Sequence, residues 1–201
     1  MLQPTGFRKQ PRLPRRTEPA LSDSGLEVAP GILLAPLRIE HAGPYAELID
    51  ESRAELSRWL PWVSHSHGPD DVRAFIATVD ERRLRTATET TFAIVVDGEP
   101  AGMIELHDPS RAHGLASVGY WLGTRFTGRG IMTKSLDRFS KFVFEAHGIH
   151  RLELYAAVDN VKSRRVAERA GFAFEAILRK RLKFGEEYLD AALYVRFPKT
   201  R

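Results

Sequence analysis

The sequence predicts an α/β domain built on a mixed sheet. Three observations carry that expectation. Short apolar runs and segments with helical periodicity follow one another in the order β-α-α-β-β-β-α-β-α-β-β. Two of the runs flank Asp97-Gly98, a dipeptide suited to a tight hairpin turn. A further run, residues 115–123, passes through a glycine-rich turn directly into a helical segment.

Residues 1–28 carry Arg8, Lys9, Arg12, Arg15 and Arg16 among four prolines. Such a stretch has no apolar periodicity to offset its ordering entropy, so it is expected to be a mobile, basic, Pro-rich tail. Two readings of it stand side by side: a solvated extension, or an arm for an acidic or ribosomal surface. A transit peptide is a third. Residues 29–201 are expected to form a single domain.

The domain opens on the strand "GILLAPLR". An amphipathic helix follows, with Leu48, Ile49, Leu56 and Leu60 on one face and Pro61 as its breaker. The next helix starts at Pro69 with Asp70 and Asp71 in its first turn, where the helix dipole favours them. Its stripe is Val72, Phe75, Ile76 and Val79. The hairpin around Asp97-Gly98 and the strand "LASVGYWLG" come next. The helix after Gly130 buries Leu136, Phe139, Phe142 and Val143 and ends near Gly148, a plausible C-cap. Strand "RLELYAAV", a short helix closed by Gly171 and a final hairpin complete the chain.

Composition excludes several chemistries. There is no cysteine, hence no disulfide framework, no thiolate zinc site and no thiol nucleophile. A reducing, cytoplasmic home is expected. No apolar run reaches the roughly 18 residues of a membrane span. "SHSHGPDD" offers His65, His67 and Asp70 as metal ligands. They lie in a loop without helical i, i+4 geometry, so no metal is expected.

The stretch "GYWLGTRFTGRGIM" has its own logic. The first N–H groups of a helix lack intrahelical partners, and glycines let an anion approach them. Arg125 and Arg129 can add charge-assisted bonds to phosphate oxygens. Residues 128–133 therefore read as a phosphate cradle, or more simply as a tight turn. A P-loop is excluded, because no suitably spaced Gly-x4-Gly-Lys-Ser/Thr exists. A dinucleotide fingerprint is excluded because its third glycine is missing.

"VGYWLGTRFTGRGIMTKSL" followed by "RLELYAAVDNVKSRRVAERAGFAFEA" resembles the GNAT superfamily of acyl-CoA-dependent N-acyltransferases. With "WLPWV", the closer likeness is to its ribosomal-protein N-acetyltransferase-like (RimJ/RimL-type) branch, over roughly residues 30–197. The resemblance implies that strands four and five of the order above splay apart around acyl-CoA. Backbone groups of Tyr120, Trp121 and Leu122 would hold the pantetheine arm. The N–H groups of Gly128, Arg129, Gly130, Ile131, Met132 and Thr133 would hold the pyrophosphate. In the family motif Thr127 takes a Gln/Arg place and Met132 a small-residue place, so both depart from it. Arg125 is expected to supply the missing charge. Asn160, Ser163 and Arg164 would face the co-substrate, with Ser163 as general acid; from the residues alone, Asn160 and Ser163 read equally as the start and cap of the helix that follows, and Arg164 as part of its solvated face. Trp59 and Trp62 would wall the acceptor pocket.

The resemblance implies N-acetyl transfer from acetyl-CoA to a primary amine, either a protein N-terminus or a small molecule. The alternatives are transfer of another acyl group, such as succinyl, and an acyl-CoA-binding module without turnover. The family's usual base positions fall on Ser117 and Leu182, and its tyrosine acid on Ala167. None can serve. Glu105 and His107, two apart on one strand face, are the substitute bases, with Asp190 and Tyr194 as further candidates. Without a strong base, an α-amine or another weakly basic amine is the expected acceptor, because an α-amine pKa of about 7.7–8.0 leaves part of it neutral near pH 7.5.

Overall fold

The computed structural model describes residues 25–86, 90–110 and 112–199. Strands β1 (Leu26–Ala29) and β2 (Ile32–Pro36) form a hairpin, followed by helices α1 (Ala42–Leu56) and α2 (Pro69–Thr86). Strands β3 (Thr91–Val96), β4 (Glu99–Ser110) and β5 (Leu115–Leu122) make an antiparallel meander. Then come α3 (Ile131–His147), β6 (Arg151–Ala157), α4 (Val161–Arg169), β7 (Ala173–Phe184) and β8 (Glu187–Arg196). All eight strands lie in one sheet, ordered β1-β2-β3-β4-β5-β6-β8-β7.

The expected order holds with one addition. β1 precedes the first predicted strand and takes residues 26–28 out of the expected tail. Its four residues are too few to show a period, but Pro30-Gly31, with Gly31 at φ 75°, is a turn signal that sequence reading passed over. The rest of the tail lies outside the described residues. The Asp97-Gly98 turn forms as expected, with φ 50° and 86° at the two positions, as a type I′ turn requires.

Two packed layers cover the sheet. On one face Phe92 of β3 meets Phe139 and Phe142 of α3, at ring separations of 5.9 and 5.5 Å. On the other, Tyr45 of α1 packs edge-on against Trp121 of β5 at 5.5 Å, and its hydroxyl donates to the Gly102 carbonyl. Strand alternation then sorts the side chains. Tyr120 faces α3 and α4, whereas Met103, Glu105, His107 and Trp121 face α1 and α2. No helix among the described residues is long and apolar enough to cross a membrane.

Candidate active site

The centre of the sheet is a wedge. β5 pairs in parallel with β6 only at Leu115–Arg151, Ala116–Leu152 and Ser117–Glu153. Beyond Ser117 the strands part. β5 stays bonded to β4 as far as Leu122, and β6 stays bonded to β8 as far as Ala157. The β6-facing backbone edge of residues 118–122, Tyr120, Trp121 and Leu122 among them, is therefore open. An extended ligand could add to it as a strand would.

Below the wedge the chain tightens. Residues Thr124–Phe126 form a 3-10 turn that buries Phe126. Gly128 and Gly130 follow at φ 77° and 73°, where a side chain is strained. Open space lies over both, since a Cβ there would meet nothing within 4 Å. Gly130 is the N-cap of α3 and supplies no side-chain cap. The first turn of this 17-residue helix contains no acidic residue, so its N–H groups and dipole face open space. Ile131 and Met132 anchor the turn by burying their side chains in the core. The Thr133 hydroxyl in that turn is buried without a protein partner. These features suit a pyrophosphate. Arg129 is exposed beside them. The Thr127 hydroxyl donates to the Thr124 carbonyl at 2.8 Å and stabilises the turn itself.

Two arginines expected at the phosphates have protein partners in this structure. The Arg125 guanidinium pairs with Glu51 of α1 and lies 3.5 Å from Glu99, so its charge points at carboxylates. Arg164 turns back on the fold: its Nε donates to the Tyr194 hydroxyl at 3.2 Å and its Nη1 to the Val158 carbonyl at 3.0 Å. In both cases a local acceptor already holds the guanidinium: a carboxylate for Arg125, a phenol and a backbone carbonyl for Arg164.

On the α4 side of the wedge, Asn160 caps the helix, its Oδ1 accepting the Ser163 N–H at 3.1 Å. That bond fixes the first turn and aims Ser163. The Ser163 Oγ stands 3.0 Å from the Tyr120 hydroxyl. Burial pushes the Tyr120 phenol up to about 12, although its bond to Ser163 works in the opposite direction. It stays protonated at neutral pH. Sequence reading assigned only the backbone of Tyr120. The side-chain role depends on strand phase, which sends this tyrosine to the face that also carries α4.

On the opposite face lies a cavity of about 470 Å³ between β4–β5 and α1–α2. Glu105 and His107 both line it. Glu105 is 6% exposed. Its Oε1 lies 3.0 Å from His107 Nδ1 and 3.7 Å from an Arg82 nitrogen. The contact orients the ring, with Nδ1 towards Glu105 and Nε2 turned away from it. Gly119 makes room for this ring, since a Cβ there would sit 2.5 Å from His107 Nε2. A glycine inside a strand was the readable signal for such a close approach.

Trp62 reaches the cavity and lies 6.1 Å from the Trp121 ring. Trp59 is not among the lining residues and sits under Arg58 at 5.5 Å. The expected pair of walls is therefore one tryptophan from that loop and one from β5. Asp190 is drawn off as well, because its Oδ1 accepts the Lys180 N–H at 2.8 Å in a bulge of β7. Tyr194 donates to Glu168 at 2.9 Å on the far face. Among the described residues no group of three or more His, Asp or Glu side chains is placed to hold a metal ion.

Comparison with known proteins agrees with this geometry. The description of the acetyltransferase (GNAT) domain matches residues 32–173. YdaF of Bacillus subtilis (strain 168) is 31% identical over 163 residues, covering 81% of this chain and 89% of that one. The ribosomal-protein-serine acetyltransferase of Escherichia coli (strain K12) is 25% identical over 171 residues, covering 85% and 95%. The crystal structure of the microcin C7 self-immunity acetyltransferase MccE, in complex with acetyl-CoA and AMP, superposes with a TM-score of 0.83 at 24% identity. It covers 89% of this chain and 99% of that one. The match across most of the folded body shows that the chain belongs to the GNAT acetyltransferase family.

Proposed function

We infer that the protein moves the acetyl group of acetyl-CoA directly to a primary amine in a ternary complex, with His107 as the base and Ser163 as the acid. One observation carries this reading. The wedge beyond Ser117 opens between an anion-binding turn with a hydroxyl pair on one side and a cavity holding a carboxylate–imidazole pair on the other.

Bound acetyl-CoA supplies an activated thioester. This chain's residues would do the rest. Glu105 holds the His107 ring by Nδ1, so Nε2 can take a proton from the incoming ammonium. Ser163, hydroxyl-paired with Tyr120, protonates the departing sulfur and regains its proton from the attacking nitrogen as the amide forms. A hydroxyl pair of this kind strengthens each member. Asn160 keeps Ser163 in place from behind. The α3 N-terminus, with Arg129 beside it, would carry the pyrophosphate.

A base within the acceptor cavity removes the reason for restricting the acceptor to α-amines. Amines of ordinary basicity come within reach. The ribosomal-protein relative makes a ribosomal N-terminus one acceptor of the right chemistry. Arg8, Lys9, Arg12, Arg15 and Arg16 would suit docking on such a surface. The absence of cysteine fits the cytoplasm.

The test is CoA release measured against pH with acetyl-CoA and a panel of amines. His107→Ala is expected to lower kcat/KM across the amines, and Ser163→Ala to lower kcat with little change in acetyl-CoA affinity. Acetyl-CoA binding without release across the panel overturns the reading.

A further inference from the structure

We propose that the preferred acceptor is an arylalkylamine, a primary amine joined by a short chain to a flat aromatic ring. The proposal rests on the acetyl-transfer reading above and names the substrate class of that same site.

The cavity has two chemically distinct ends. Along β4 and β5, Glu105 and His107 stand beside Gly119, at the level where the wedge opens. Met103 pairs with Trp121 two residues further along, where the walls become aromatic. There Tyr45 meets Trp121 at 5.5 Å and 77°, and Trp62 meets it at 6.1 Å and 59°. Phe75 of α2 closes the outer side. Trp62 and Phe75 keep 40% and 36% of their surface exposed, although both line the cavity. Exposed rings at the mouth of an apolar pocket suit an aromatic guest, which gains stacking in addition to its buried area.

The polar groups argue in the same direction. Glu105, the buried carboxylate lining the cavity, already faces His107 and Arg82. It suits one ammonium. A polyamine would find one further carboxylate in the lining, the exposed Asp71, whose Oδ2 already accepts the His67 N–H at 2.8 Å; charges beyond it would lie against Tyr45, Trp121 and Leu60, at a heavy desolvation cost. A peptide N-terminus would set its second peptide unit in a mostly apolar lining, whose polar members besides Glu105 and His107 are His65, Ser66 and Asp71. A volume of about 470 Å³ falls in the usual range for small-molecule sites, roughly 300–1,000 Å³.

The experiment compares kcat/KM for 2-phenylethylamine, n-butylamine, spermidine and a serine-starting peptide, with CoA release as the readout. The expected result is 2-phenylethylamine ahead of each of the others by about tenfold or more. In Trp62→Ala and Phe75→Ala its lead over n-butylamine should shrink severalfold while acetyl-CoA affinity stays put. Turnover in which 2-phenylethylamine gains no advantage over n-butylamine, or falls behind spermidine or the peptide, overturns the proposal and leaves acetyl transfer standing. No CoA release with any amine overturns the acetyl-transfer reading instead.

Discussion

Gly119→Ala separates the two halves of the proposed chemistry. Gly119 has no positive φ, so alanine fits the backbone. The added methyl carbon would lie 2.5 Å from His107 Nε2 and 3.0 Å from its Cδ2. Ordinary contact begins near 3.4–4 Å, so the ring must retreat by about 1 Å. The His107 side chain is 44% exposed and can swing outward, so the fold loses little, within about 1 kcal/mol. Catalysis is another matter. A displacement of about 1 Å at a proton-transferring group costs on the order of 100-fold in rate. The expected outcome is a large fall in kcat at neutral pH, with thermal stability and acetyl-CoA affinity near wild type. Adding His107→Ala to Gly119→Ala should then cost almost nothing further, because the two changes remove the same interaction. Full activity in Gly119→Ala, or independent and multiplying losses in the double variant, refutes the placement of His107 as base.

Other outcomes follow from named contacts. Ser163→Ala is expected to lower kcat by about 100-fold or more, and Tyr120→Phe by a smaller factor, both read by CoA release with acetyl-CoA affinity measured in parallel. Gly130→Pro removes a backbone donor and forbids φ 73°, so calorimetry should detect no acetyl-CoA binding in a variant that circular dichroism shows to be folded. Asp137 ties α3 to β8 through Arg196 at 2.7 Å. Burial raises the Asp137 carboxyl, but the bonds and charges of Lys141 and Arg196 outweigh it, and the net shift is downward. Its stabilisation is therefore present above the ordinary carboxylate range and is lost as pH falls through the lowered value. Asp137→Asn should cost about 1 kcal/mol near pH 7, a modest figure because the carboxylate is partly solvated, and the difference should close in acid. Chemical denaturation at several pH values measures it.

Much of the fold was readable because its elements are long and periodic. The stripe Leu136, Phe139, Phe142, Val143 leaves few alternatives, whereas α1 ends at Leu56, short of the expected Leu60 and the breaker Pro61, and Leu60 is extended ahead of a 3-10 turn at Pro61–His65. β1 escaped because four residues carry no period. At the site, what depends on backbone was legible: the glycine turn, the N-cap Asn160 and the i, i+2 pair Glu105 and His107. What depends on side-chain direction was not. Arg125 and Arg164 sit in the right segments but swing to Glu51 and to Tyr194, partners far off in the chain. Tyr120 and Ser163 are 43 residues apart and meet only because the strand phase and the start of α4 converge.

Acetyl transfer to an amine at the wedge is tested by incubating the protein with acetyl-CoA labelled in its acetyl group and a primary amine, then following the label by mass spectrometry. The expected result is labelled amide in step with released CoA, and loss of both in Ser163→Ala under conditions where that variant still binds acetyl-CoA. Label that remains on CoA in the wild-type protein, across aromatic, aliphatic and peptide amines, would contradict it.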